Sequence, residues 1–249
     1  MISIFLLMVA GFGGLIAGFG GPGGLPIIAY LYSFASLSTA EVAGTSSSIF
    51  VFATIFAISL YYISGDINLS IVWPLVPTTL IGTKLGVWAN SFIPRKIFGI
   101  LISFITISIG LTVVYRELKS LEPVYNLDYR SNFGKFLLGL LGVIVGFLGG
   151  VIGIGGPAIS IPVLIFLGIS PLLAIGAGLV QGFFVTASTA TNYALSGNIN
   201  FNLFIKIAPL YILSQAIGWY IAQKIDTRRL KVLIGSMLTI VGVYIVLTL

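Results

Sequence analysis

GFGGPGG, Gly18–Gly24, puts five glycines and one proline into seven residues between two apolar runs. In a helix each glycine costs about 1 kcal/mol relative to alanine and each proline about 3, so this stretch breaks a helix. The figure returns as GIGGPAISIP, Gly153–Pro162. A break at membrane depth is tolerated only where it is buried in protein or lines a cavity. There it offers exposed backbone N–H groups at a helix start, the positive end of a dipole.

The surroundings of these breaks are those of a membrane. Of 249 residues, 58% are hydrophobic and 7% charged, where a soluble domain carries about 25% charged residues. Mean hydropathy is +1.15. Apolar runs of membrane-spanning length recur to the last residue, so the chain reads as an all-α polytopic protein of the cell membrane. The N-terminus lacks a basic n-region and an A-x-A site, so it does not read as a signal peptide. The net charge of +6 is carried by single or short clusters of basic residues between apolar runs. They read as topology signals rather than a nucleic-acid footprint. The chain has no cysteine and no histidine. Disulfides, thiolate metal sites and the commonest general base are therefore excluded, and no cofactor is expected. No H-E-x-x-H, paired aspartates or Ser/His dyad is present, so an enzyme is not expected either.

The chain is a duplication. YYISGDIN (Tyr61–Asn68) and YALSGNIN (Tyr193–Asn200) share Tyr, Ser, Gly, Ile and Asn at an offset of 132. At that offset Pro77 meets Pro209, Gly86 meets Gly218 and Gly110 meets Gly242; at the glycine motifs it drifts to 135. The expected organisation is a first membrane repeat, 1–115, a charged linker, 116–135, and a second repeat, 136–249. Each half reads as a helix ending at the glycine motif, a short piece (25–37, 159–168) and three longer helices. The first of these starts at Ser38, where S-x-x-E with Glu41 makes a capping box, and its twin at Ser170-Pro171. Basic residues favour inverted repeats. That arrangement puts eight Lys/Arg of the linker and the 224–231 loop on one side, against Arg95, Lys96 and Lys206. Matched breaks in inverted halves point to a transporter's binding site.

Polar positions recur beside the breaks. Ser47 and Thr54 share a face of one long helix, with Gln181 and Ser188 as partners at an offset of 134. Thr79, Thr83, Gly86 and Asn90 share a face of the next, with Tyr211, Gln215, Gly218 and Ala222 as partners. The alternative for these positions is interhelical hydrogen bonding or small-residue packing, worth under about 2 kcal/mol per pair in membranes. Lys84 alone puts a charge well inside a span; anion attraction and snorkelling explain it equally. The expected anion site is therefore Gly20, Gly21, Gly23, Gly155, Gly156 and Ala158 on the breaks, with Ser47, Thr83, Gln181, Gln215 and Lys84 around them. No acid falls within an expected span, so transport driven by membrane potential is expected.

Gly18-Phe19-Gly20-Gly21 followed by Pro26, Gly153-Ile154-Gly155-Gly156 followed by Pro162, and Ala43-Gly44-Thr45-Ser46 resemble the TauE/SafE family of sulfite exporters. Pro22 and Pro157 stand where the family usually has a third glycine, and Gly178-Leu179-Val180-Gln181 replaces a Gly-Thr-Ser triplet. The resemblance implies a permease for small sulfur-containing anions such as sulfite or sulfonates. The competing readings are an anion channel, and a permease for another small anion such as a carboxylate. Partners beyond such an anion and the lipid bilayer are not indicated.

Overall fold

The computed structural model describes residues 4–19, 21–62, 67–119, 127–222, 224 and 227–247, and these form ten helices. In the first half they are α1 (Ile4–Gly18), α2 (Gly24–Phe34), α3 (Thr39–Tyr62), α4 (Leu69–Asn90) and α5 (Arg95–Lys119). In the second they are α6 (Asn132–Ile152), α7 (Pro157–Phe166), α8 (Pro171–Leu195), α9 (Phe201–Ala222) and α10 (Thr227–Leu247). Five of them, α3, α5, α6, α8 and α9, are long and apolar enough to cross a membrane. The helix starts follow their local signals. Ser38 Oγ accepts from Glu41 N and Glu41 Oε2 accepts from Ser38 N, a reciprocal capping box. Ser170 is the N-cap of α8, with Pro171 in its first turn. Helix α5 runs on to Lys119 and α6 begins at Asn132, both inside the span read as a linker.

The glycine motifs do more than interrupt a helix: they reverse the chain. The Phe5 ring meets those of Tyr30 and Phe34 at 5.5 and 5.7 Å, so the end of α2 lies beside the start of α1. A Cβ on Gly13 would stand 2.6 Å from the Gly23 carbonyl oxygen, which seats the tip against the body of α1. In the second half Leu127 N donates to the Leu167 carbonyl at 2.9 Å, so α7 returns to the foot of α6. Each half is thus a helical hairpin followed by three long helices. At 1.5 Å per residue α2 and α7 span only about 15 Å, half the hydrocarbon core.

A hairpin that returns to its own side, followed by three long helices that run to and fro, leaves an odd number of passes along the bundle per half, and odd halves must be inverted. Helix directions agree. The start of α3 lies against the end of α8, where Asn200 N donates to Thr45 Oγ1 at 3.0 Å. Gly110 of α5 meets Gly235 and Thr239 of α10, while Gly242 meets Ser103 and Ile107. Equivalent helices therefore run antiparallel, as a two-fold axis in the membrane plane requires.

The same axis interlocks the halves. The broadest packing joins α4 to α6, with its counterpart between α1 and α9. Both seams are built on backbone approach. A Cβ on Gly142, Gly146 or Gly150 would lie 2.5, 2.2 or 2.4 Å from a carbonyl oxygen of α4, and one on Gly14 2.2 Å from the Tyr211 carbonyl. Small-residue seams substitute for a hydrophobic drive that lipid removes. Burial aligns α3 with α8 at an offset of 132 rather than 134. Ala53, Thr54 and Ala57 then pair with Val185, Thr186 and Thr189, all buried, while Ser188 is half-buried. The reason is that the two helices start at equivalent residues, Thr39 and Pro171.

The bundle has two ends. One, the linker end, holds the starts of α4, α6, α8 and α10: Asn68 Nδ2 reaches Tyr129 Oη there, and Leu127 meets Leu167. The opposite end holds the starts of α3, α5 and α9. There Arg95 stacks on Tyr32 at 4.8 Å and donates to the carbonyls of Tyr32 and Leu37, tying α2 to α5.

Candidate functional site

The two hairpin tips meet. A cavity of about 120 Å³ is lined by the first tip (Gly18, Gly21, Pro22, Gly23, Gly24) and by Ile154, Gly155, Pro157 and Ala158 of the second. Its wall is completed by Phe50, Ala53, Thr54 and Ala57 of α3, Ile175 and Leu179 of α8, and Tyr211, Gln215 and Trp219 of α9. Those wall residues run from the middle of α3 toward its end, occupy the first turns of α8, and run from the middle of α9 toward its end. The cavity therefore lies toward the linker end.

Local folding explains what the tips present. Pro157 opens α7 with its fixed φ and lacks an N–H that would go unused there. Ile159 N and Ser160 N both turn back to the Gly156 carbonyl. The amides of Gly155, Gly156 and Ala158 make no hydrogen bond among the described residues. Gly153, at the end of α6, has φ 81° and sits against Ala43, where a Cβ would stand 2.4 Å from that residue's carbonyl oxygen. Only glycine takes this left-handed corner without strain. Gly155 is different: a Cβ there would meet Thr186 and Pro157 at 3.6 and 3.7 Å, ordinary contact.

Gln215 is 6% exposed, lines the cavity, and its Oε1 is buried with no hydrogen-bond partner. Buried side-chain amides are normally paired, and this residue lines the space between the tips. Among the described residues no lysine, arginine, aspartate or glutamate lines the cavity. An anion held there would meet backbone amides, a side-chain amide and aromatic edges in a low-dielectric setting.

Of the residues expected at the site, Gly21, Gly23, Gly155, Ala158 and Gln215 line this cavity. Gly20 lies outside the described residues. Gly156 is buried one step behind, its Cα side pressed on Gly182. Ser47, Thr83 and Gln181 are fully buried away from it. Ser47 Oγ donates to the Ala43 carbonyl and Thr83 Oγ1 to the Thr79 carbonyl. Gln181 Nε2 donates to Thr79 Oγ1 at 2.8 Å. Lys84 is exposed on α4 beside Ile81, Leu85 and Trp88, so it stands on the outer surface of the bundle, remote from the cavity. Phe50 and Trp219, absent from the sequence reading, are wall residues; aromatic residues are too common in this chain to have signalled it.

Comparison with known proteins follows the same outline. The family model described as sulfite exporter TauE/SafE matches twice, at residues 2–113 and 138–248, one match per half. A probable membrane transporter protein of Methanocaldococcus jannaschii is 26% identical over 99% of this chain and 97% of its own length. A probable membrane transporter protein of Bacillus subtilis is 24% identical over 97% and 95%. A sulfite exporter TauE/SafE family protein of Arabidopsis thaliana is 28% identical over 48% of this chain and 28% of its own. No solved structure matches the chain. With inverted halves, paired glycine hairpins and a match in each half, the chain is a multi-pass membrane transporter protein and belongs to the sulfite exporter TauE/SafE family.

Proposed function

We propose that this transporter exports small sulfur-containing anions, such as sulfite or sulfonates, and binds them between the two hairpin tips. One observation carries the reading: the tips share a single cavity with Gln215, whose buried carbonyl oxygen has no partner. The free amides of Gly155 and Ala158 at the start of α7 supply donors for an oxyanion, with the helix dipole behind them. The Gln215 side chain, which lines the cavity, would add a further donor through its Nε2. Phe50, Leu179 and Trp219 give the cavity an apolar wall, which strengthens each of these hydrogen bonds. Eight of the twelve Lys/Arg, namely Arg116, Lys119, Arg130, Lys135, Lys224, Arg228, Arg229 and Lys231, belong to the linker end. The positive-inside rule puts that end in the cytoplasm, so the cavity loads from inside the cell.

The test is uptake and release of radiolabelled sulfite, a short alkyl sulfonate, sulfate and a short carboxylate by proteoliposomes. Saturable, protein-dependent flux of a sulfur anion that Gln215→Leu lowers supports the reading. Flux confined to the carboxylate, or flux unaffected by Gln215→Leu and Gly155→Ala alike, refutes it.

A further inference from the structure

Inverted symmetry gives every feature of the linker-end half an image at the opposite end. At an offset of 132 the cavity residues Tyr211, Gln215, Ala53, Thr54 and Ala57 map onto Thr79, Thr83, Val185, Thr186 and Thr189. All five of these images are 0% exposed. Where one half holds a cavity, the other holds a closed seam, and that seam is rich in hydroxyls.

The seam shows two marks of a closed path rather than of a permanent core. Thr189 Oγ1 is fully buried and makes no hydrogen bond. Other buried threonines do otherwise: Thr54, Thr83, Thr106 and Thr186 each donate to the carbonyl four residues back. Gln181 Oε1, one helical turn from Val185, is likewise buried and unpaired. Orphaned polar atoms are rare in native interiors, and here two share one helix face with the images of cavity residues.

A polar latch holds the seam shut at its outer end. Asn90 Nδ2 donates to the Val151 carbonyl at 2.6 Å, and Thr39 Oγ1 donates to Asn90 Oδ1 at 3.2 Å. Tyr193 Oη donates to the Gly150 carbonyl at 2.9 Å. The images of Asn90 and Thr39 are Ala222 and Pro171, which carry no side-chain hydrogen-bonding group. The linker end therefore lacks the Asn90–Thr39 pair of this latch, and that is the end where the cavity lies.

We propose that Thr79, Thr83, Thr186 and Thr189, with Gln181, form a second, hydroxyl-lined vestibule that opens away from the linker end when the Asn90 latch parts. This rests on the transport reading above. The anion would pass from Gln215 across the hairpin tips to these hydroxyls, and the two vestibules would open in turn because one hairpin pair serves both.

The chain has no cysteine, so single-cysteine variants report accessibility without background. Ala57→Cys and Thr189→Cys are reconstituted in oriented proteoliposomes and treated with a membrane-impermeant maleimide from either side. With the latch intact, Ala57→Cys should react from the linker side and Thr189→Cys at least tenfold more slowly from both. In the Asn90→Ala background, Thr189→Cys should react at least tenfold faster, and only from the opposite side, while Ala57→Cys slows. Should Asn90→Ala not fold, Thr39→Val cuts the latch at its other end. Reaction of Thr189→Cys from the linker side, or its silence from both sides with the latch removed in monodisperse protein, overturns the proposal. Anion flux through the same vesicles separates the readings. Flux with Thr189→Cys silent removes the second vestibule alone, and absence of flux for every anion removes the transport reading beneath it.

Discussion

Gln215→Leu should move stability and binding in opposite directions. Leucine nearly matches the volume of glutamine and removes its amide. In the empty protein the Gln215 carbonyl oxygen is buried without a partner, a condition that costs about 1–3 kcal/mol. Removing it should raise the melting temperature of the detergent-solubilised protein, by about 2–4 °C per kcal/mol recovered for a chain of this size. Binding should weaken. A hydrogen bond to a charged group is worth about 1.5–3 kcal/mol, which at about 1.4 kcal/mol per decade is a tenfold to hundredfold loss of affinity. The assay is a pair of thermal melts, with and without saturating anion, alongside flux in proteoliposomes. A variant that melts lower than the parent and carries the anion normally would refute the reasoning, since it would make Gln215 a packing residue.

Gly155→Ala should fold normally, because its methyl finds ordinary contact distances, yet lower flux by narrowing the cavity; Gly153→Ala should lose about 1–2 kcal/mol to its left-handed φ alone and more to the Ala43 contact, read as a fall in melting temperature. Arg95→Met should remove the tie between α2 and α5 and cost about 1–2 kcal/mol at this partly solvated site, again by thermal melt, with Arg95→Lys restoring only part. Flux of a sulfonate, which stays charged across the pH range, should follow a valinomycin-set potential at about 2.3 kcal/mol per charge per 100 mV. It should also stay flat between pH 5.5 and 8, because among the described residues no acid lines the cavity and the chain has no histidine. Flux that ignores the potential and tracks a pH gradient would overturn that expectation.

The sequence declared its breaks openly, because glycine and proline act through local backbone preferences. The capping box at Ser38, the proline start of α8 and the duplicated order of helices were readable for the same reason. The reversal at each break was not, since a glycine-rich turn does not state the direction of the helix that follows. The polar face Thr79–Thr83–Asn90 was visible as a face, but its neighbour was not. Its partner is the stripe Gly142, Gly146, Gly150 on α6, and the meeting of the two turns a hydroxyl row into a seam. That glycine spacing was itself the available signal. Gln181 and Gln215 looked alike in sequence; only packing separates the one that reaches Thr79 from the one that lines the cavity.

The crossing of partners between halves has a consequence for how the protein is made. The glycine seam of α1 is covered by α9, and that of α4 by α6. During synthesis α1 must therefore wait in the bilayer for a partner that lies roughly 200 residues downstream, about 10–40 s at ordinary elongation rates of 5–20 residues per second. Its exposed glycine face is then open to any other helix that leaves the insertion machinery. Neither half has a finished interior of its own, so a chain cut within the linker should still assemble when both pieces are made together, and neither piece should accumulate alone.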